Sequence, residues 1–211
     1  MSEDTSGDTP GDTRGQEYTQ RLAASVAPRR GWRRLLDPQR PYRWNIRRLH
    51  LGRVLDIGCG AGRNLLHLDG NGVGVDHNPT SVDVARSLGL TAYVTDAFGD
   101  SADAIPGAFG ALLFAHVLEH MTCAEATALI ERYLPYIAVD GLVVAICPQV
   151  RGQRSDSTHV TYMPRPVIAS VFADAGLEVL RSKSFPFPEV VGRVFTHNET
   201  VVVGRRIPAV R

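Results

Sequence analysis

The eleven residues Val54–Asn64, VLDIGCGAGRN, decide how the rest of the chain is read. Val54, Leu55 and Ile57 form a short apolar run suited to a buried strand. Gly58, Gly60 and Gly62 follow within five residues, where the backbone must turn tightly and come close to something. The residues after them read as a helix start. A strand, a glycine turn and a helix N-terminus together cradle a nucleotide, because free N–H groups and the helix dipole face the ligand. Which nucleotide depends on Asp56, two positions ahead of the loop.

Downstream, strand and helix signals alternate. RVLDIG gives a first strand and GRNLLHL a short helix. GVGVD is a second strand ending at Asp76, and PTSVDVARSLG is a helix opened by Pro79 and stopped by Gly89. TAYVTD and GALLFAH are strands three and four. CAEATALIERYLPYI is an amphipathic helix, GLVVAICP a fully apolar fifth strand, and PRPVIASVFADAG a helix closed by Gly176. LEVLRSKSF and ETVVVGRR are two last strands placed to pair antiparallel. This pattern predicts an α/β fold with a mostly parallel sheet covered on both faces. Ligands then sit at the carboxyl ends of the strands, near the switch point. Asp56, Asp76, Asp96 and His116 all fall at or just past such ends.

The bulk properties set limits. At 211 residues, with 44% hydrophobic and 21% charged residues and a formal net charge of +1, the chain is one domain with appendages and has no obligatory nucleic-acid or membrane partner. Cys59, Cys123 and Cys147 are scattered, which argues against structural disulfides and a cysteine zinc site and fits a reducing cytoplasm. No apolar run has the length of a membrane span, and the N-terminus lacks the apolar core of a signal peptide. Residues 1–17, acidic and rich in Gly, Ser, Thr and Pro, read as a disordered tail.

Asp56 separates the nucleotide classes. A nicotinamide or flavin fingerprint requires glycine three positions after Gly60, where this chain has Arg63, and a carboxylate ahead of the loop would repel a pyrophosphate. Asp56 suits a ligand that lacks phosphates and carries positive charge, as S-adenosylmethionine does at its sulfonium and α-ammonium groups.

On these residues the chain resembles the class I, Rossmann-like S-adenosylmethionine-dependent methyltransferases. LDIGCGAG matches their first motif, GVD the second, TDA the third, and HVLEH follows strand four. The resemblance spans roughly Arg53 to Gly204. It implies a doubly wound, seven-stranded, mostly parallel sheet of order 3-2-1-4-5-7-6 with strand 7 antiparallel and helices on both faces. It also implies that S-adenosylmethionine is the cofactor. Gly58, Gly60 and Gly62 would admit its methionine part and Asp56 would order the ammonium end. Asp76, with His77 beside it, would accept the ribose hydroxyls. Asp96, Ala97 and Phe98 would meet the adenine, and His116 would sit beside the transferable methyl group.

HVLEH, His116 to His120, also spells the H-x-x-E-H pattern of a zinc protease family. That chemistry needs both histidines on one face of a long helix, whereas here the pattern begins where a strand ends. No carboxylate cluster for a metal is evident, and methyl transfer requires none. The polar crossover RSDSTHVTYMPRP, after strand five, is where this superfamily builds its acceptor site. Asp156, His159 and Tyr162 are the candidates there. An alcohol acceptor needs a base with a pKa near neutral, which His159 and His116 can supply. The N-methylating motifs of base-flipping nucleic-acid methylases are absent after strand four.

The expected reaction is O-methylation of a small metabolite or glycan. The alternatives are a non-catalytic scaffold that keeps the cofactor site, and a nicotinamide-linked oxidoreductase. Residues 18–52 read as a basic helical lid ahead of a methyltransferase domain over 53–211. Between Arg29 and Arg53 nine arginines face one acid, Asp37, with Trp32, Tyr42 and Trp44 interleaved. Guanidinium forks and aromatic rings suit an anionic or lipid-linked acceptor and a peripheral membrane contact.

Overall fold

The structure, a computed structural model, describes residues 38–207. The expected acidic tail, the first part of the basic segment, and Arg29, Arg30, Arg33 and Arg34 lie outside the described residues. The elements run α1 (Arg40–Arg47), β1 (Val54–Ile57), α2 (Arg63–His67), β2 (Gly72–Asp76), α3 (Pro79–Ser87), β3 (Ala92–Val94), α4 (Thr95–Phe98) and β4 (Phe109–Ala115). They continue with α5 (Cys123–Tyr133), β5 (Ile137–Pro148), α6 (Val150–Gln153), α7 (Arg165–Asp174), β6 (Leu177–Phe185) and β7 (Glu199–Arg206).

All seven strands form one sheet of order β3-β2-β1-β4-β5-β7-β6, with β7 antiparallel to both β5 and β6. β1 lies between β2 and β4 and is parallel to both, with Asp56 opposite Gly74 on one side and Leu113 on the other. The chain reverses its direction of winding between β1 and β4. The carboxyl ends of both strands therefore border the switch point, where the crevice of an open α/β sheet lies.

Strand alternation divides the sheet into two apolar faces. Leu112, Phe114, Val143 and Ala145 point to a layer containing Ala126, Ile130 and Tyr133 of α5 and Ile168, Val171 and Phe172 of α7. Val54, Ala111, Leu113, Val144 and Ile146 point the other way, against Ile46, Leu49, Leu51 and Phe185. Ile46, Leu49 and Leu51 are each at most 4% exposed. Ile46, Leu49 and Leu51 thus belong to one of the two covering layers. Two arginines of this segment serve the fold in the same way. Arg47 binds Asp69 and the His67 carbonyl, and Arg53 pairs with Asp103 at 2.6 Å.

Some elements differ from the sequence reading. The third strand ends at Val94, and Thr95–Phe98 makes one helical turn, so Asp96 sits on a helix rather than a strand. β5 begins at Ile137, four residues ahead of the apolar run, because buried Ile137 pairs with Phe109 across an irregular register.

Candidate functional site

The glycine loop closes on itself and on β2. Gly58 and Cys59 donate their N–H groups to the Val75 carbonyl at 2.7 and 3.1 Å, and Gly58, Gly60 and Gly62 have φ of +72°, +53° and +81°. A β-carbon at Gly58 would lie 2.4 Å from Val117 Cγ2. The close approach that demands glycine at this position is therefore made by the chain's own loop after β4.

Asp76, at the end of β2, locks this loop. Its Oδ2 accepts from the Gly60 N–H at 2.7 Å and its Oδ1 from the Asn78 N–H at 2.8 Å. Each oxygen keeps a lone pair for a further donor. Asn78 then caps α3 by accepting from Thr80 and Ser81. Exposed His77 has its Nδ1 3.6 Å from Asp76 Oδ1.

Asp56 is wholly buried, and neither of its carboxylate oxygens meets a donor at hydrogen-bonding geometry. Burial raises its pKa to about 7, although the Asn64 side chain and the Arg63 charge favour the anion. A buried carboxylate without a partner is costly unless a ligand completes it. An ammonium group is the chemical complement, and this is the observation on which S-adenosylmethionine fits the site.

Asp96 and Ala97 are exposed at the start of α4. Phe98 differs from expectation: it is 2% exposed, with its ring 5.0 Å from that of Tyr136 and 6.1 Å from those of Tyr93 and Tyr133. It packs in the core and leaves no ring edge for an adenine.

His116 follows β4 in a left-handed conformation, with φ of +60°. Its Nε2 lies 2.9 Å from Glu199 Oε1 and its Nδ1 3.3 Å from Glu119 Oε1. Burial disfavours the imidazolium, but hydrogen bonding to the two carboxylates and their charges outweigh it and raise the pKa to about 9. A cation at neutral pH has no lone pair with which to accept a proton. His116 is thus held as a charge clamp, with both of its ring nitrogens engaged by carboxylates.

On the acceptor side, the chain after β4 is stitched to the crossover after β5. The Glu119 carbonyl accepts from Val160 N–H at 2.8 Å and from Thr161 N–H at 3.0 Å. Asp156 Oδ1 accepts from Thr158 N–H at 2.9 Å and from the Thr158 hydroxyl at 2.7 Å. Since that hydroxyl proton is committed, its oxygen accepts from His120 Nδ1, 3.1 Å away, which also reaches the Thr158 carbonyl at 3.2 Å. His159 Nδ1 lies 3.0 Å from the Gln153 carbonyl, and the His120 and His159 rings are 4.9 Å apart, edge to face. Both Nδ1 atoms therefore act as donors, which leaves the Nε2 lone pairs available. Burial, and to a lesser extent the nearby His159, lower the pKa of His120 against the raising charge of Glu119. Asp156 and His159 come together here, and Tyr162 is exposed. Glu119, His120 and Glu199 were not assigned roles from the sequence. HVLEH carried a signal for the first two, but Glu199 is 83 residues from His116 and carried none.

A family model described as a methyltransferase domain matches residues 16–182. No curated protein matches the sequence. Among solved structures, an S-adenosylmethionine-dependent methyltransferase from Archaeoglobus fulgidus is similar, with a TM-score of 0.62 and 15% identity over 82% of this chain and 97% of its own. Magnesium protoporphyrin IX methyltransferase from Synechocystis, with bound S-adenosylhomocysteine, gives a TM-score of 0.65 at 14% identity over 93% and 98% of the two chains. An O-methyltransferase of neocarzinostatin biosynthesis, in complex with S-adenosylmethionine and 2-hydroxy-5-methyl naphthoic acid, gives 0.55 at 21% identity over 75% and 50%.

Proposed function

Since the chain belongs to the methyltransferase-domain family and uses S-adenosylmethionine as cofactor, we propose that it methylates a hydroxyl group of a small metabolite or glycan. The observation that carries this reading is the pair of imidazoles, His120 and His159, whose Nδ1 atoms are occupied and whose Nε2 lone pairs remain. A hydroxyl, unlike an amine, must lose a proton, and a neutral imidazole lone pair is suited to take it.

The residues divide into two groups. Asp56 would hold the cofactor's ammonium group, and Asp76 its ribose through the lone pairs left after binding Gly60 and Asn78. Exposed Asp96 and Ala97 would meet the adenine edge, with His77 at the rim. When bound, the cofactor supplies a methyl group already activated by its positive sulfur. The protein's remaining work is alignment and the exclusion of water, and alignment can contribute roughly 7–11 kcal/mol in favourable cases. His159, His120 and Asp156 orient the acceptor, with Tyr162 at the rim, and the His116 clamp fixes the loop after β4.

The described part of the basic segment supports an anionic or lipid-linked acceptor. Trp44 is exposed, with the Arg48 guanidinium 4.2 Å above its ring and Lys183 nearby on β6. The same patch suits a peripheral membrane contact. No helix among the described residues is long and apolar enough to cross a membrane. Free Cys59, Cys123 and Cys147 support a reducing, cytoplasmic setting.

The test is calorimetric titration with S-adenosylmethionine, followed by mass spectrometry of native-host extracts for products heavier by one methylene. Hydroxyl methylation is the expected product. Cofactor binding with no product would favour the scaffold, and a product methylated on nitrogen or sulfur would overturn the acceptor class.

A further inference from the structure

Among the described residues, Glu119, His120 and His159 each offer one ligand atom, and the three atoms lie within 4.8 Å of one another. We propose that these residues bind a divalent first-row transition-metal cation. Three independent features carry the proposal.

The first is the Glu119 carboxylate. It is wholly buried; Oε1 pairs with the His116 ring at 3.3 Å, and Oε2 meets no donor. A second is the tautomer of the two histidines. Ligating imidazoles characteristically donate their other ring N–H to a carbonyl, carboxylate or similar acceptor, which fixes the ring and leaves one lone pair for the metal. His120 does so onto Thr158, itself anchored by Asp156, and His159 does so onto the Gln153 carbonyl. The third is rigidity. Glu119 and the crossover carrying His159 are held in register by two hydrogen bonds from Val160 and Thr161 to the Glu119 carbonyl. The site is thus arranged by the fold before any ion arrives.

Two nitrogens and one oxygen select borderline cations such as zinc, iron or cobalt. Magnesium and calcium prefer oxygen-only ligand sets. Three protein ligands leave coordination positions open for another oxygen. What the cation does there rests on the acceptor-side reading proposed above and changes one part of it. The two Nε2 lone pairs hold the cation instead of a proton. A coordinated acceptor hydroxyl then loses its proton to solvent at a lowered pKa.

The test uses the full chain, stripped with a chelator and titrated with cobalt(II) while visible absorption is recorded. The expected result is a saturable band at one cation per chain, displaced by zinc and not by equal magnesium. His120→Ala and His159→Ala should each weaken binding by about 100-fold, and Thr158→Val, which removes one of the two acceptors at His120 Nδ1, by about tenfold. Cofactor affinity, measured on the same samples, reports whether each variant is folded. Absence of a saturable band in the wild-type chain, or a band that survives both histidine substitutions, overturns the proposal. Loss of cofactor binding by the wild-type chain would instead overturn the methyltransferase site and leave the cation result standing.

Discussion

His116 Nε2 lies 2.9 Å from Oε1 of Glu199, so the end of β4 is tied by charge to the beginning of β7, two strands away in the sheet. With Glu119 on its other nitrogen, one ring bridges two carboxylates that the fold has largely removed from water, and its single charge offsets one of their two.

This clamp makes stability depend on pH. The His116 pKa rises from an ordinary 6.5 to about 9, so its contribution is complete below about 6.5 and is lost as pH rises through about 9. The side chain is about one-third exposed, and after discounting for solvent the loss should be on the order of 1–2 kcal/mol. Thermal unfolding at pH 6 and pH 9.5 measures it. His116→Gln should be less stable at pH 6 and should lack most of the alkaline decline. A wild-type decline that persists unchanged in the variant would assign it to other groups.

Asp56 couples cofactor binding to protons. Its folded pKa is raised from 3.8 to about 7, so the free protein loses stability as pH rises between those values. An ammonium partner favours the anion. Cofactor affinity should therefore strengthen as pH rises through about 7, with proton release. Calorimetry in buffers of different protonation enthalpy detects that release, and Asp56→Asn should abolish it. Release undiminished in the variant would place the ammonium group elsewhere.

Asp76→Ala should weaken the cofactor by roughly 1–3 kcal/mol, since it removes an acceptor and also frees the Gly60 and Asn78 N–H groups. The dissociation constant is the readout, and an unchanged value removes Asp76 from the site.

His159→Ala should lower turnover by at least about tenfold while leaving cofactor affinity nearly intact, because its contacts lie on the crossover after β5. Parallel measurement of kcat and cofactor dissociation separates the two effects. Collapse of cofactor binding would move this loop to the other side of the crevice.

Gly58→Ala should destabilise the chain by roughly 1–3 kcal/mol, combining a left-handed backbone with a β-carbon 2.4 Å from Val117 Cγ2. Adding Val117→Ala should recover the steric part and leave the backbone part. No recovery in the double variant would show that the clash had already relaxed.

The sequence by itself determined the sheet. Apolar runs of strand length, separated by helices with proline starts and glycine stops, leave few ways to wind the chain, and the observed order is the one that the motif resemblance implied. It also placed Asp56 and Asp76 correctly at strand ends, because a residue's position along a strand follows from local pattern alone. Side-chain partners do not follow from it. Phe98 carried the same local signal as a cofactor contact but turned into the aromatic core with Tyr93, Tyr133 and Tyr136. His116 carried the local signal of a base, and its partner Glu199 lies far along the chain, where no local pattern reaches. His120 and His159, 39 positions apart by their numbering, became neighbours because β4 and β5 pair in parallel and end on the same edge. Protonation state and ligand geometry depend on distances of a few ångströms between remote segments. Those distances are set by how the two covering layers pack, and that was decided only in the tertiary structure.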